Sequence, residues 1–139
     1  MKRRRGREYA LQFLYQIDFT GRRPEREEFD KFWEEKNEEA EVREFTEDIV
    51  NGTLNHLQEI DSALGNATEH WVLDRMAAVD RNILRGAIYE LFYRWDIPST
   101  VTINEAIEIA KKYSAHESAF FINGILDNIA KGIKGRRAR

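Results

Sequence analysis

Residues 76–95, MAAVDRNILRGAIYELFYRW, decide the fold class. Apolar residues recur in this segment at nearly every third or fourth position: Met76, Val79, Ile83, Ala87, Leu91 and Trp95. Because an α-helix has 3.6 residues per turn, this spacing gathers them on one helical face. We therefore predict an amphipathic helix that is terminated by Pro98, which has no amide hydrogen with which to continue it.

The same helical spacing extends to the N-terminal part of the chain. We predict a first helix from about Arg3 to Phe19, ended by Thr20-Gly21. A second helix should begin near Pro24, since proline suits a first helical turn. A third helix is predicted over residues 40–64. It is followed by a glycine, which often ends a helix, and then by a short helical stretch around the second tryptophan.

Two short motifs are predicted to begin the last two helices. Thr102-Ile103-Asn104-Glu105 and Ser114-Ala115-His116-Glu117 fit the capping box, in which a hydroxyl and a glutamate satisfy amides of the first turn. The last helix should then continue to Ile133. Asn123-Gly124 is typical of a hairpin instead, but the helical spacing continues around it. We expect a neighbouring helix or a ligand to approach this glycine and offset its cost of about 1 kcal/mol.

We predict an all-α protein of packed helices, because helical spacing covers nearly the whole chain and no run alternates as a strand does. The 139 residues suit a single domain over 1–139. An acidic, aromatic first half gives way to a neutral second half near residues 65–70. We therefore expect subdomains of about 1–66 and 67–139, with no flexible linker between them.

The composition argues against several classes of function. Cysteine is absent, which excludes disulfides and thiol nucleophiles. The apolar runs are far too short to cross a membrane, so we expect a cytoplasmic protein. His56, His70 and His116 lie far apart, and we find neither a phosphate-binding loop nor a zinc signature. We expect a binding protein with no catalytic residue, no metal and no cofactor.

Charge is distributed unevenly, although the net charge is only −3. Residues 1–23 contain seven basic and two acidic residues, whereas residues 25–48 contain twelve acidic and four basic ones. The basic start consists of Lys2, Arg3, Arg4, Arg5 and Arg7. Arginine suits phosphate because its planar guanidinium can donate two parallel hydrogen bonds. The basic start is therefore either a phosphate-binding arm or a solvated terminus that aids solubility.

Aromatic residues supply candidates for stacking on RNA bases. Tyr15 lies near the helical face of Arg7. Phe120 and Phe121 are adjacent, and adjacent helical positions point about 100° apart. One ring of the pair should therefore face the core and the other should lie nearer the surface. Base stacking, a dimer contact and ordinary helix packing all fit this arrangement.

Several sequence blocks resemble the NusB family of transcription antitermination factors. Two lie near the C-terminus: INEAIEIAKKY at 103–113 and FINGILD at 121–127. A third, LRGAIYEL, covers 84–91, and the arginine-rich segment that ends at Tyr15 resembles the family's first helix. The resemblance covers essentially the whole chain and is weakest over 25–45.

This resemblance implies an all-α fold of about seven helices in two small packed bundles. It also implies a factor that binds the boxA element of ribosomal RNA leaders together with NusE, a small-subunit ribosomal protein. The complex would then join RNA polymerase and suppress premature termination. The implied RNA contacts are the basic start together with Tyr15, Glu117, Ser118, Phe120 and Phe121. The implied NusE-facing acids are Asp74 and Asp80.

Phe120 departs from the pattern of this family, because some members carry a lysine there. One phosphate contact would then be missing. Some relatives form homodimers that cover the RNA surface, and an exposed aromatic at Phe120 would favour a homodimer here. Two alternatives remain: a self-associating interaction protein, and the RNA-binding module of a ribosomal RNA methyltransferase-like system, which would require a catalytic domain after residue 139.

Overall fold

The structure, a computed structural model, describes residues 1–68 and 75–137, with side chains as far as residue 133. These residues form seven α-helices and no strand, which confirms the predicted fold class. The helices are α1 (Lys2–Thr20), α2 (Arg26–Glu34), α3 (Ala40–Asn55), α4 (Leu57–Thr68), α5 (Ala78–Tyr93), α6 (Ser99–Tyr113) and α7 (Ser118–Arg137). The stretch predicted around Trp71 lies outside the described residues, as do His70 and Asp74.

Helix α5 lies at the centre of the fold. It packs against α1, α3, α4, α6 and α7, and Leu84, Ile88 and Leu91 are fully buried. Each such side chain contributes roughly 1.5–3 kcal/mol when it leaves water. The segment whose spacing predicted the fold class is therefore the element around which the others pack. Trp95 is an exception, since it follows the end of α5 and is about half exposed.

Helix α1 ends as predicted at Gly21. This glycine has φ 68° and ψ 11°, a left-handed conformation that costs glycine little, and its amide donates to the Ile17 carbonyl at 2.7 Å. Helix α2 then lies beside α1 and packs through aromatic rings. The Phe13 ring centroid is 4.8 Å from that of Phe29 and 4.6 Å from that of Phe32.

The single helix predicted over residues 40–64 is wrong. The helix is interrupted at His56, which has φ −121° and ψ 23°. Gly65 lies inside α4 rather than at its end. The break separates α3, which packs on α1 and α5, from α4, which packs on α5 and α7. The His56 ring stacks on Tyr93 with centroids 4.1 Å apart. Tertiary packing therefore interrupts a run that has no glycine or proline at the break.

Both predicted capping boxes are also wrong. Thr102 lies inside α6 and donates its hydroxyl to Glu90 at 3.0 Å. Ser114 follows the end of α6, and its hydroxyl donates to Asp80. Both acceptors are buried carboxylates of α5, with exposed fractions of 3% for Glu90 and 8% for Asp80. The hydroxyls satisfy these carboxylates, because an unpaired carboxylate in the core would be costly.

Helix α7 continues through Asn123-Gly124, so the helical interpretation holds against the hairpin dipeptide. One of the two reasons expected for this glycine, the close approach of a neighbouring helix, does not hold. A Cβ atom added at Gly124 would meet no atom within 4 Å in the part of the chain that the structure describes. No helix among the described residues therefore approaches this exposed position.

Candidate nucleic-acid interface

The basic start is part of the folded structure. Helix α1 begins at Lys2, close to the predicted start near Arg3, so the basic residues lie on its first turns. Each basic residue of the start is paired with a carboxylate: Lys2 with Glu39 at 3.1 Å, Arg3 with Asp96 at 3.8 Å, Arg4 with Glu105, Arg5 with Glu38 at 2.9 Å, and Arg7 with Glu90 at 2.8 Å.

Arg7 is the member of the basic start that lies in the core. It is only 7% exposed, and its guanidinium donates to both oxygens of Glu90, at 2.9 and 2.8 Å. Glu105 lies 3.6 Å away on the other side of the same group. A phosphate could reach Arg7 only if this buried pair broke. Arg7 is therefore not an accessible candidate for a contact with RNA.

The other four basic residues diverge around α1, because consecutive helical positions point about 100° apart. Lys2 and Arg5 turn towards acids at the start of α3 and just before it, and a hydrogen bond from Arg5 lowers the pKa of Glu38. Arg3 turns towards the connection between α5 and α6. Only Arg4 turns towards α6, where it binds Glu105 with more than one hydrogen bond.

The start of α7 presents a second group of candidate residues. Phe120 is 76% exposed, whereas Phe121 is partly buried against the core, as expected for adjacent helical positions. Glu117 is exposed just before the helix. The Ser118 hydroxyl points inward and donates to Asp80 at 2.9 Å. Phe120 and Glu117 are therefore the most accessible members of this group.

Asp80 does not have the exposed position that a partner-facing acid requires. Its carboxylate accepts hydrogen bonds from Ser114 and Ser118, whose own hydroxyl oxygens are 3.0 Å apart. In the described structure Asp80 therefore joins the first turn of α5 to the α6–α7 connection. Asp74, the other predicted acid, lies outside the described residues.

Tyr15 forms part of an exposed aromatic pair that the sequence did not suggest. Tyr15 and Phe19 are 39% and 70% exposed, and their ring centroids lie 5.0 Å apart in an edge-to-face arrangement. The two residues are four positions apart on α1 and therefore share a face. This spacing is the signal that could have identified Phe19.

Asp18 fixes the position of this aromatic pair relative to α5. It accepts hydrogen bonds from Arg81 at 2.6 Å and from Asn82 at 3.0 Å. Both donors lie in the first turns of α5, beside Asp80, which binds the start of α7. The structure therefore brings Tyr15 and the start of α7 to the same end of α5.

The basic start lies at the opposite end of α5, because α1 and α5 are antiparallel and Arg7 pairs with Glu90. Asp80 and Glu90 are ten residues apart on α5, which corresponds to about 15 Å along the helix. The sequence grouped all these candidates into one RNA site. In the structure they form a basic group and an aromatic group at different ends of α5.

Asp18 also gives the fold a pH dependence. Burial raises its pKa, but hydrogen bonds from Arg81 and Asn82 and the charge of Arg85 outweigh burial and lower the pKa below the ordinary 3.8. A carboxyl with a lowered folded pKa stabilises the fold above its unfolded pKa, and this contribution is lost as pH falls through the folded pKa.

We therefore expect the free energy of unfolding to fall more steeply below about pH 4 in the wild type than in Asp18→Asn. The variant should be less stable at neutral pH, and the two curves should converge in acid. Urea unfolding followed by circular dichroism across this pH range would measure both curves. Parallel curves would show that Asp18 contributes nothing to the acid sensitivity.

The described residues do not support other classes of site. Over residues 1–68 and 75–133, no three histidine or acidic side chains are grouped so that they could hold a metal ion. No described helix is long and apolar enough to cross a membrane. The features that the structure does present are an ion-paired basic group and exposed aromatic rings around a helical core. They define an all-α protein whose exposed aromatic and basic side chains lie on its helices.

Comparison with known proteins identifies the family. A sequence profile described as the NusB family matches residues 4–131. The transcription antitermination protein NusB of Thermodesulfovibrio yellowstonii is 49% identical over 140 residues, covering 94% of this chain and 93% of that protein. NusB of Geobacter sulfurreducens is 50% identical over 133 residues, covering 92% and 93%. The chain belongs to the NusB family.

Solved structures agree with this assignment. The structure of T. maritima NusB has a TM-score of 0.82 at 39% identity, covering 93% of this chain and 90% of that one. A crystal structure of antitermination factors NusB and NusE in complex with dsRNA contains a chain with a TM-score of 0.82 at 30% identity, covering 94% of this chain and 97% of its own length.

Proposed function

We propose that this protein is a transcription antitermination factor that binds boxA RNA together with NusE and acts with RNA polymerase in the cytoplasm. The observation that carries the proposal is likeness over nearly the whole chain to a protein solved with NusE and dsRNA. The role requires binding and no catalysis, which agrees with the names of the curated relatives.

The exposed side chains are suited to RNA. Phe120 and Tyr15 present aromatic rings at one end of α5, and bases of unpaired RNA stack on such rings. Lys2, Arg3, Arg4 and Arg5 are partly exposed at the other end, where phosphates could replace their carboxylate partners. Of the predicted contacts, Phe121 and Ser118 would support this surface from beneath.

The NusE surface is proposed near the start of α5. Asp74 and Asp80 were predicted to face NusE, and Asp80 is largely buried beneath the α6–α7 connection. Asp80 would therefore act by holding that connection in place. A substitution at Asp80 would disturb the fold as well as any partner, so it is a poor first test of this contact.

The first experiment is titration of a short boxA RNA, with and without purified NusE. We expect Phe120→Ala to bind the RNA about 1–3 kcal/mol more weakly than the wild type, because an exposed ring that stacks on a base contributes about that much. Folding should change little, since Phe120 is 76% exposed. Calorimetry or fluorescence anisotropy would measure the affinity.

Tyr93→Ala is the matched control. Tyr93 is 42% exposed and faces α4, where its hydroxyl donates to Glu59, whereas the basic start pairs with acids of α3, of α6 and of the connections beside them. The replacement of Tyr93 should therefore leave RNA affinity unchanged. If the wild type bound neither boxA RNA nor NusE, the proposed function would be wrong. If the mass in solution doubled without RNA, and Phe120→Ala restored the monomer, Phe120 would be a self-association contact instead.

A further inference from the structure

One face of α1 connects the two groups of candidate residues. Arg4, Glu8, Gln12, Tyr15 and Phe19 are separated by three or four positions, so they lie along a single stripe. From Arg4 to Tyr15 the stripe is about 16 Å long, at 1.5 Å per residue. It begins at the basic group and ends at the aromatic group.

Helix α6 borders the first half of this stripe. Glu105 of α6 binds Arg4, and seven positions later Lys112 donates to Glu8 at 2.8 Å. The hydroxyl of Tyr113 donates to the same Glu8 oxygen. Helices α1 and α6 therefore run in the same direction. The side chains of Lys112 and Tyr113 meet over Glu8.

The outer layer of this contact is a cation and an aromatic ring. The Glu8 side chain is only 15% exposed, whereas that of Lys112 is 62% exposed and Tyr113 is 43% exposed. The Lys112 ammonium also lies 5.2 Å from the centroid of the Tyr113 ring. Glu8 thus lies beneath and holds both groups in place, which reduces the entropy that a ligand must remove to order them.

Glu8 and Lys112 are both charged at neutral pH. Burial raises the pKa of Glu8, but hydrogen bonds from Lys112 and Tyr113 outweigh it and lower the pKa. A hydrogen bond to Glu8 raises the pKa of Lys112. The carboxylate therefore remains ionised beneath a protonated lysine, and the group that an approaching ligand meets is the lysine.

The next residue links this contact to the start of α7. Ser114 follows Tyr113 and binds Asp80, as does Ser118 at the start of α7. Tyr113 thus lies between the basic group, through Glu8 and Arg4, and the exposed aromatic residues, through Ser114 and Ser118. An RNA strand that contacts both groups must cross the surface between them.

We propose that Lys112 and Tyr113 form a third RNA contact, in which Tyr113 stacks on a base and Lys112 binds a phosphate of the strand that joins the basic and aromatic groups. This inference rests on the proposed RNA-binding function. It adds two contact residues, located where α6 borders the stripe on α1.

The test titrates short single-stranded boxA RNA against variants of the full chain. Tyr113→Ala should bind about five- to 150-fold more weakly, the loss typical of a removed stacking ring, while Tyr113→Phe should retain most of the affinity. Lys112→Gln should make the slope of log affinity against log salt shallower by about 0.7, the value for one phosphate contact to a single strand.

Matched controls separate this surface from a general effect of charge or aromaticity. Tyr93 is equally exposed, and its hydroxyl also donates to a glutamate, Glu59. Tyr93→Ala should bind RNA as the wild type does. Lys31 is an exposed lysine on α2, and Lys31→Gln should leave the salt slope unchanged. Circular dichroism would confirm that every variant is folded.

The outcomes distinguish this inference from the function on which it rests. Wild-type binding that is weakened by Phe120→Ala but not by Tyr113→Ala or Lys112→Gln would overturn the third contact and leave the proposed function intact. A wild type that binds no boxA RNA, alone or with NusE, would overturn both. Equal losses in Tyr113→Ala and Tyr93→Ala would also overturn the third contact.

Discussion

Gly52→Ala is expected to destabilise the protein severely. A Cβ atom at this position of α3 would lie 2.2 Å from Cε1 and Cζ of the Tyr89 ring. The ring is buried and is held by the hydroxyl, which donates to Asp48 at 2.9 Å. Because the ring cannot move without losing that bond, we expect a loss of about 3 kcal/mol in the free energy of unfolding. Urea unfolding would measure it.

Gly65→Ala provides the matched control for this substitution. Gly65 also lies inside a helix, α4, but an added Cβ atom would have no atom within 4 Å among the described residues. Alanine favours a helix over glycine by about 1 kcal/mol, so this variant should be as stable as the wild type or slightly more so. Equal effects of the two substitutions would contradict a close approach of Tyr89 to α3.

Arg7→Met should have an effect of similar size. The substitution leaves Glu90 buried without its cation, and breaking a buried ion pair from one side typically costs about 3–5 kcal/mol. We expect the free energy of unfolding to fall by that amount. The double variant Arg7→Met/Glu90→Leu should recover part of the loss, because it leaves no isolated charge at that position. Thermal and urea unfolding of the wild type, of Arg7→Met, of Glu90→Leu and of the double variant would complete the cycle.

An exposed arginine serves as the control for this cycle. Arg22 is 73% exposed and pairs with Glu28 at 3.3 Å. Because exposed ion pairs contribute little, Arg22→Met should change stability by no more than about 0.5 kcal/mol. If Arg7→Met behaved like Arg22→Met, the pair with Glu90 would not stabilise the fold.

Local patterns predicted the parts of the fold that local physics determines. The apolar spacing of 76–95 predicted the central helix α5, and the left-handed Gly21 ends α1 where expected. The break at His56 could not be read from the sequence, because apolar spacing continues across it without glycine or proline. It depends on what α3 and α4 each pack against, and that information is not local.

The candidate site was difficult to predict for the same reason, because its contacts join residues that are far apart in the sequence. Arg7 belonged to a basic run that suggested a solvated arm, yet its partner Glu90 is 83 positions away in the chain. Thr102 fitted a capping motif, yet its hydroxyl binds the same Glu90. Tyr113 and Lys112 became candidate RNA contacts only because the structure places Glu8 of α1 beneath them. Spacing along one helix indicates a face, but the residues opposite that face emerge only from the tertiary structure.

The ion pairs of the basic start have a consequence for selectivity. Carboxylates such as Glu38, Glu39 and Asp96 lower the positive potential around the start of α1 and so weaken its attraction for any polyanion. Release of its counterions favours the binding of a nucleic acid. At the start of α1 the nucleic acid must also displace the carboxylates that already pair with the basic residues. If the protein binds RNA as proposed, chance encounters with bulk nucleic acid should therefore be short-lived. A strand whose phosphates and bases match the protein at several points at once would be retained, so the ion pairs would reduce total affinity and increase the discrimination between RNAs.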